Sequence, residues 1–305
     1  DKSLDYIVEH ADEIAAILFE PVQSRFPEIQ PREFLKKARQ ICDENDIAFI
    51  FDEVITGFRI HQRGAQGFFG IDADICTYGK IVGGGMPIGV IAGKSQYMDA
   101  LDGGQWQFGD DSSPEIGVTY FAGTFVRHPF ALAAAVAVLT KLKAEPDLQL
   151  WLNARADRMV TEINDYAGSV GAPLKIANCG SMCKIKIPQD IPYEELIYVL
   201  LREKGVHVWD ARPTFITTAH SDDDIQFIVD AFKSAIDDML QMEFFPVEEG
   251  KSAPPPQKDV RKSASKKRLF KPPVPGAKLG RDEEGKAVWY VPSKQGEGQF
   301  EKWAG

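Results

Sequence analysis

Two side chains in this sequence have the types and spacing to do chemistry together. Asp52 closes the apolar run "IAFIFDEV" (47–54), and Lys80 opens "KIVGGGMP" (80–87). An acid and an amine at neighbouring strand ends could form a plain ion pair. They could equally address one ligand. A lysine amine forms a Schiff base with an aldehyde cofactor, and a pyridine nitrogen on such a cofactor needs an acid to stay protonated. Glycines after the lysine permit tight turning and leave room for a bulky planar group. A phosphate loop is excluded, because its lysine follows the glycines and precedes Ser or Thr.

The elements that must position this pair read as alternating strand and helix. "AAILFEPV" (15–22) and "IAFIFDEV" predict buried strands, with a helix over "PREFLKKARQICDEN" (31–45) between them. Parallel strands joined by a crossover follow. "ADICTYGK" (73–80) and "PIGVIAGK" (87–94) predict two further strands, so Asp52 and Lys80 sit at the sheet edge where ligands of open α/β sheets bind. The sheet is expected to be covered on both faces. From His128 the pattern turns helical, through "FALAAAVAVLTKLKAE" and "LQLWLNARADRMVTEINDYA", as a bridge over 128–167. Strands at "LKIANCGSMCKIKI" and "GVHVWD" and helices at "YEELIYVLLREK" and "DDDIQFIVDAFKSAIDDML" predict a smaller α+β domain over 168–245. Residues 246–305, rich in Pro, Lys and Ser, read as a linker, with "RKSASKKR" a solvated tether.

Composition narrows the function classes. The 305 residues are 44% hydrophobic, enough to bury a real core. The apolar runs "EIAAILFEPV" and "FALAAAVAVL" are too short to span a bilayer, so no membrane role is expected. The N-terminal stretch lacks the basic flank and apolar core of an export signal, and a cytoplasmic location is expected. The net charge of -10 is unevenly spread: residues 251–305 carry 13 basic and 6 acidic residues, which leaves -17 on residues 1–250. So acidic a body is not a general nucleic-acid binder. Cys42, Cys76, Cys179 and Cys183 lack the paired spacing of a zinc site and read as reduced structural thiols, with no metal expected.

Four runs carry a resemblance. "FEPVQS" (19–24), "FDEVITGFR" (51–59), "GKIVGGGMPIG" (79–89) and "AGTFVRHP" (122–129), in this order, resemble class III pyridoxal-phosphate aminotransferases, nearest to the glutamate-1-semialdehyde aminomutase branch. The resemblance covers residues 1–242. It implies an α/β fold of the fold-type I PLP-dependent class: a partial large domain with a mostly parallel sheet (1–127), the bridging helices and the small C-terminal domain. It implies that Lys80 is the Schiff-base lysine and proton carrier, that Asp52 holds the pyridinium nitrogen, that Val54 packs on one ring face, and that Thr124 reaches the cofactor phosphate of a partner subunit in a homodimer. Ordinary core packing for Val54 and a turn or helix cap for Thr124 are the plainer readings. The N-terminal segment of that fold, with its serine/glycine phosphate loop, has no counterpart in this sequence.

The departures from the family pattern carry information. Arg25 stands where many relatives have an acid, and it is read either as binding a carboxylate of the amino donor or as a surface ion pair. Ile55 replaces a glutamine found in some relatives, and His128 an asparagine. The runs "KGVHVWDARPTFITTAHSDDDI" and "FKPPVPGAKLGRDEEGKAVWYVPSKQGEGQFEKW" resemble aminotransferase domains within mixed polyketide and nonribosomal-peptide synthases. That implies amino transfer from a donor such as glutamate to a β-keto acyl thioester on a carrier protein, with 246–305 leading towards a following synthase domain. A free-standing glutamate-1-semialdehyde aminomutase and a non-catalytic dimerisation piece are the competing readings.

Overall fold

The computed structural model describes residues 2–104, 109–113, 122–124, 126–246, 277–281, 287–293 and 300–302, in two units, Asp1–Gln257 and Lys258–Gly305. In the first unit α1 (Lys2–Glu9) precedes β1 (Ala16–Phe19), α2 (Arg32–Glu44), β2 (Ala48–Asp52), α3 (Gly64–Phe69) and β3 (Ile75–Tyr78). A 3-10 turn (Lys80–Gly83), β4 (Val90–Gly93) and α4 (Ser95–Asp102) follow. The strands form one sheet in the order β1-β2-β3-β4, with β1, β2 and β3 parallel and β4 antiparallel to β3.

β2 is central and apolar on both faces, as a parallel strand must be. Its Phe49 and Phe51 are fully buried. α2 brings Leu35, Ala38 and Cys42 into the same core at helical spacing. The expected cover on both faces is incomplete. Leu18 on β1 is 60% exposed and Ile91 on β4 is 52% exposed. Both lie on edge strands of this sheet, and alternate side chains of each point away from the core.

A second core follows, built from α5 (Pro129–Ala144), α6 (Leu148–Val170), β5 (Lys175–Cys179), β6 (Met182–Lys186), α7 (Leu196–Glu203), β7 (Thr214–Phe215) and α8 (Asp222–Gln241). β5, β6 and β7 form an antiparallel sheet in that order. Ile163, Ile176, Ile185, Leu201 and Ile236 interlock beneath it. α8 starts on a reciprocal cap between Ser221 and Asp224, which satisfies its first backbone donors. The two helices expected as a bridge part company: α5 lies on the Lys80 turn, while α6 packs against α8 and β5.

The strand expected at "GVHVWD" does not form. The free edge of β6 is taken by Thr214–Phe215 instead, and the Val208 carbonyl is satisfied by the guanidinium of Arg202 from α7. With its backbone bonded sideways, the segment needs no strand partner. In the second unit, part of the stretch expected to be linker is ordered. β8 (Lys278–Arg281), β9 (Ala287–Pro292) and β10 (Phe300–Lys302) make an antiparallel sheet in the order β10-β9-β8. The β-branched and aromatic residues of "AVWYVP" favour that pleated state. No helix among the described residues is long and apolar enough to cross a membrane.

Candidate active site

The site begins with two parallel strands that end together. Register pairs Asp52 on β2 with Thr77 on β3, and the pairing runs one residue further, where the Glu53 N–H donates to the Thr77 carbonyl at 2.9 Å. Asp52 is half-buried. Its Oδ1 accepts the Val54 N–H at 3.0 Å and the Thr77 hydroxyl at 3.2 Å. Its Oδ2 has no partner among the described residues. One oxygen is thus pinned and the other is presented.

Lys80 starts the turn directly after β3. Its φ is +47°, a left-handed conformation that a residue with a long side chain adopts only when its surroundings impose it. The side chain is exposed, and among the described residues no ion pair joins it to Asp52. The plain ion-pair reading therefore does not describe this structure. Val54 lies close by: a Cβ added at Gly79, the residue before Lys80, would stand 3.4 Å from Val54 Cγ1.

The glycines turn the chain tightly, as expected, with Gly85 at φ +96° facing open space, and Gly84 has a further role. Gly84 ends the turn at φ +57°, and a Cβ there would come within 2.9 Å of Val138 Cγ2 on α5. Gly84 thereby lets α5 approach the lysine turn, while a Cβ at Gly85 would meet nothing within 4 Å, and both glycines border the open space beside Lys80. A cavity of about 480 Å³ opens beside the turn, lined by Lys80, Arg59, Ser181, Thr217 and Thr218 among others.

Two neighbours of Asp52 fix the loop that follows it, and sequence reasoning missed both. Glu53 is fully buried. Its carboxylate accepts the Thr56 hydroxyl and the N–H groups of Ala65 and Gln66, which open α3. Burial, the largest influence, pushes its carboxyl above the usual range against those hydrogen bonds. Arg59 reaches across to the second core. Its Nη1 donates to Ser181 Oγ at 3.1 Å and to the Ile216 carbonyl at 3.4 Å, and its guanidinium lies 4.5 Å from the Phe215 ring centre. No carboxylate pairs with it among the described residues, and burial draws it down to about 10. A charged residue ending the apolar segment "ITGFR" was the available signal. Thr77 could have been found as the polar residue of "ICTY" once the register was known.

The remaining expected residues lie apart. Thr124 is exposed and lines a separate cavity of about 760 Å³ with Ile88, Arg127 and His128, at the start of α5. Arg25 is exposed, on the loop that leaves β1 at the same sheet edge as Asp52 and Lys80. Its carbonyl, not its side chain, makes the described contact, accepting from Lys186 Nζ at 2.9 Å. The four cysteines are buried, and burial lifts Cys42 and Cys76 to about 11 and Cys179 and Cys183 to about 12.

A parallel strand pair that offers a half-pinned acid beside a lysine turn is a specific arrangement, and it sits inside a region that matches the model of the class-III aminotransferase family over residues 2–236. The chain belongs to the class-III aminotransferase family. Among its relatives, the glutamate-1-semialdehyde 2,1-aminomutase of Alkaliphilus oremlandii is 34% identical over 247 residues, covering 76% of this chain and 54% of the relative. That of Methanosarcina acetivorans is 34% identical over 240 residues, covering 74% and 54%. Among solved structures, a transaminase with PLP bound aligns with a TM-score of 0.69 at 24% identity, over 79% of this chain and 56% of that one. An omega-transaminase from Sphaerobacter thermophilus aligns at 0.67 and 26% identity, over 77% and 55%. These likenesses support the expected fold-type I α/β class. This class-III chain spans about half the length of the relatives it matches.

Proposed function

We propose that this chain is the lysine-bearing part of a pyridoxal-phosphate-dependent aminotransferase. The observation that carries the reading is Asp52: Thr77 and Val54 hold one carboxylate oxygen, and the other is offered beside the Lys80 turn. These residues fit the cofactor. Lys80 would hold it covalently, Asp52 would keep its ring nitrogen protonated, and Val54 would pack on the ring. Thr124 would reach the phosphate held by a partner subunit in a homodimer, which agrees with its place outside the Lys80 cavity. Bound there, pyridoxal phosphate supplies an electron sink for the carbanion that forms when the donor's Cα loses its proton. Lys80 would be the base that takes that proton. The fixed Asp52 carboxylate stabilises positive charge at the ring nitrogen without having to reorganise.

The substrates follow the synthase resemblance: an amino-acid donor such as glutamate, whose carboxylate Arg25 binds, and a β-keto acyl thioester on a carrier protein as acceptor. The relatives named glutamate-1-semialdehyde 2,1-aminomutase support a second reading, in which both amino exchanges occur on one small substrate.

The test is to add pyridoxal phosphate to the chain, reduce with borohydride and map the modified peptides by mass spectrometry. A phosphopyridoxyl group concentrated on Lys80, and lost from that peptide in Lys80→Ala, is expected. Labels spread over exposed lysines without preference for Lys80 would overturn the cofactor reading and leave the non-catalytic one.

A further inference from the structure

A second feature lies on the β5–β6 sheet, beside the loop that leaves β1, and has the opposite sign to the acidic body of residues 1–250. Lys184 and Lys186 are two residues apart on β6 and so share a face, and Lys175 on β5 stands opposite Lys186. Met182 and its opposite residue Cys179 lie on that face too, buried against the first core. The face is therefore apolar where the two cores meet and basic beyond the junction.

Loops complete it from either side. Lys186 Nζ donates to the Arg25 carbonyl at 2.9 Å, pairs with Glu28 at 2.9 Å and lies 4.5 Å from the Phe26 ring centre. Lys184 donates to the Ala211 carbonyl. The next residue, Arg212, is exposed and stands 5.3 Å from the ring of Trp209, itself 71% exposed. Burial lowers the proton affinity of Lys184, and Lys186, Arg212 and Arg25 lower it further, with Glu194 opposing them. Asp210 is already held by Arg202. Among the described residues, Arg25, Lys175 and Arg212 make no ion pair.

Five cations thus collect on a body of charge -17 over residues 1–250, flanked by the exposed rings of Phe26 and Trp209. Lys184 and Lys186 alone stand about 7 Å apart along the strand. Arginine and tryptophan together are characteristic of protein interfaces. We infer that Lys175, Lys184, Lys186 and Arg212, with Phe26 and Trp209, form a docking surface for a small acidic protein that presents the acyl acceptor as a thioester. The inference rests on the carrier-bound acceptor reading above. Opposite charges speed such an encounter and fix its orientation, and docking here places the partner at the edge that holds Asp52 and Lys80.

The experiment uses the whole chain and, as probe, an isolated acyl carrier protein bearing its phosphopantetheine thiol, with binding followed by calorimetry at low and high salt. Saturable binding is expected, weakened about tenfold or more both by salt and by the variant Lys175→Glu/Lys184→Glu/Arg212→Glu. Because Lys184 also holds a loop carbonyl, Lys175→Glu/Arg212→Glu, which changes exposed side chains alone, is measured beside it and is expected to weaken binding in the same direction. No saturable binding, or variants that bind as tightly as the unaltered chain, overturns the proposal. Displacement of the probe by millimolar glutamate or inorganic phosphate would assign the surface to a small anion and overturn it as well. The Lys80 labelling test is independent: labelling intact in the variants with binding lost supports the docking surface, and labelling absent from the unaltered chain is a failure of the cofactor reading instead.

Discussion

Replacing Gly84 by alanine perturbs the lysine turn in a way whose size follows from two separate causes. At φ +57° the new Cβ costs about 1–2 kcal/mol through left-handed strain. Its 2.9 Å approach to Val138 Cγ2 is an overpacking contact, and valine cannot rotate away cheaply because it is stiff at χ1. Overpacking of this kind costs about 1–3 kcal/mol, so the whole change is expected at about 2–5 kcal/mol. The second cause can be isolated. Val138 is half-buried, and Val138→Ala alone should cost about 1 kcal/mol. In the double variant the clash is gone, so its cost should fall short of the sum of the single costs by about 1–3 kcal/mol. Urea unfolding of all four chains by circular dichroism gives the three differences. Additivity within about 0.5 kcal/mol would refute the argument that Gly84 serves the packing of α5 on the Lys80 turn.

Thr77→Val keeps the shape of the side chain and removes the hydroxyl that pins Asp52. Affinity for pyridoxal phosphate, measured by titration of its absorbance, should fall about fivefold, as one hydrogen bond of about 1 kcal/mol implies, and unchanged affinity would show that Thr77 does not position the acid. Glu53 has its carboxyl pushed up by burial, so its contribution is fully present below the unfolded value near 4.5 and is lost as pH rises through the folded value. Glu53→Gln should remove that part of the acid-side pH dependence of the urea midpoint, and parallel curves for the two chains would contradict it. Arg59→Met should leave overall stability within about 2 kcal/mol, because relief from burying an unpaired charge offsets the lost hydrogen bonds. The cost should nevertheless appear as faster hydrogen exchange near Ser181 and Ile216, and unchanged exchange there would remove the bridging role.

Strongly patterned segments were the readable part of this chain. "IAFIFD" is apolar on both faces, so only a central parallel strand can use it, and Asp52 at its end follows. Lys80 was placed for the same reason. Distant contacts were not readable. Arg59 meets residues 122 and 157 positions away, and nothing in the local pattern announces them. "GVHVWD" has the alternation of a strand, yet whether it pairs depends on who occupies the edge of β6, and Thr214–Phe215 does. The glycines were read for turning and for the space they leave, which describes Gly85, whereas the approach of α5 to Gly84 is a distant contact that the local pattern does not announce. Arg25 was singled out by type, whereas the cations around it come from a sheet whose register had to be seen.

The bonds of Arg59 give the segment from Asp52 to Arg59 two fixed ends on two different bodies. One end is held by Thr77 in the sheet and the other by Ser181 and Ile216 in the second core. Glu53, tied to the start of α3, is the pivot between them. A segment so anchored spans both cores in eight residues: the carboxylate at the strand end and the guanidinium in the second core are tied to one short stretch of chain, so the acid is held from two sides.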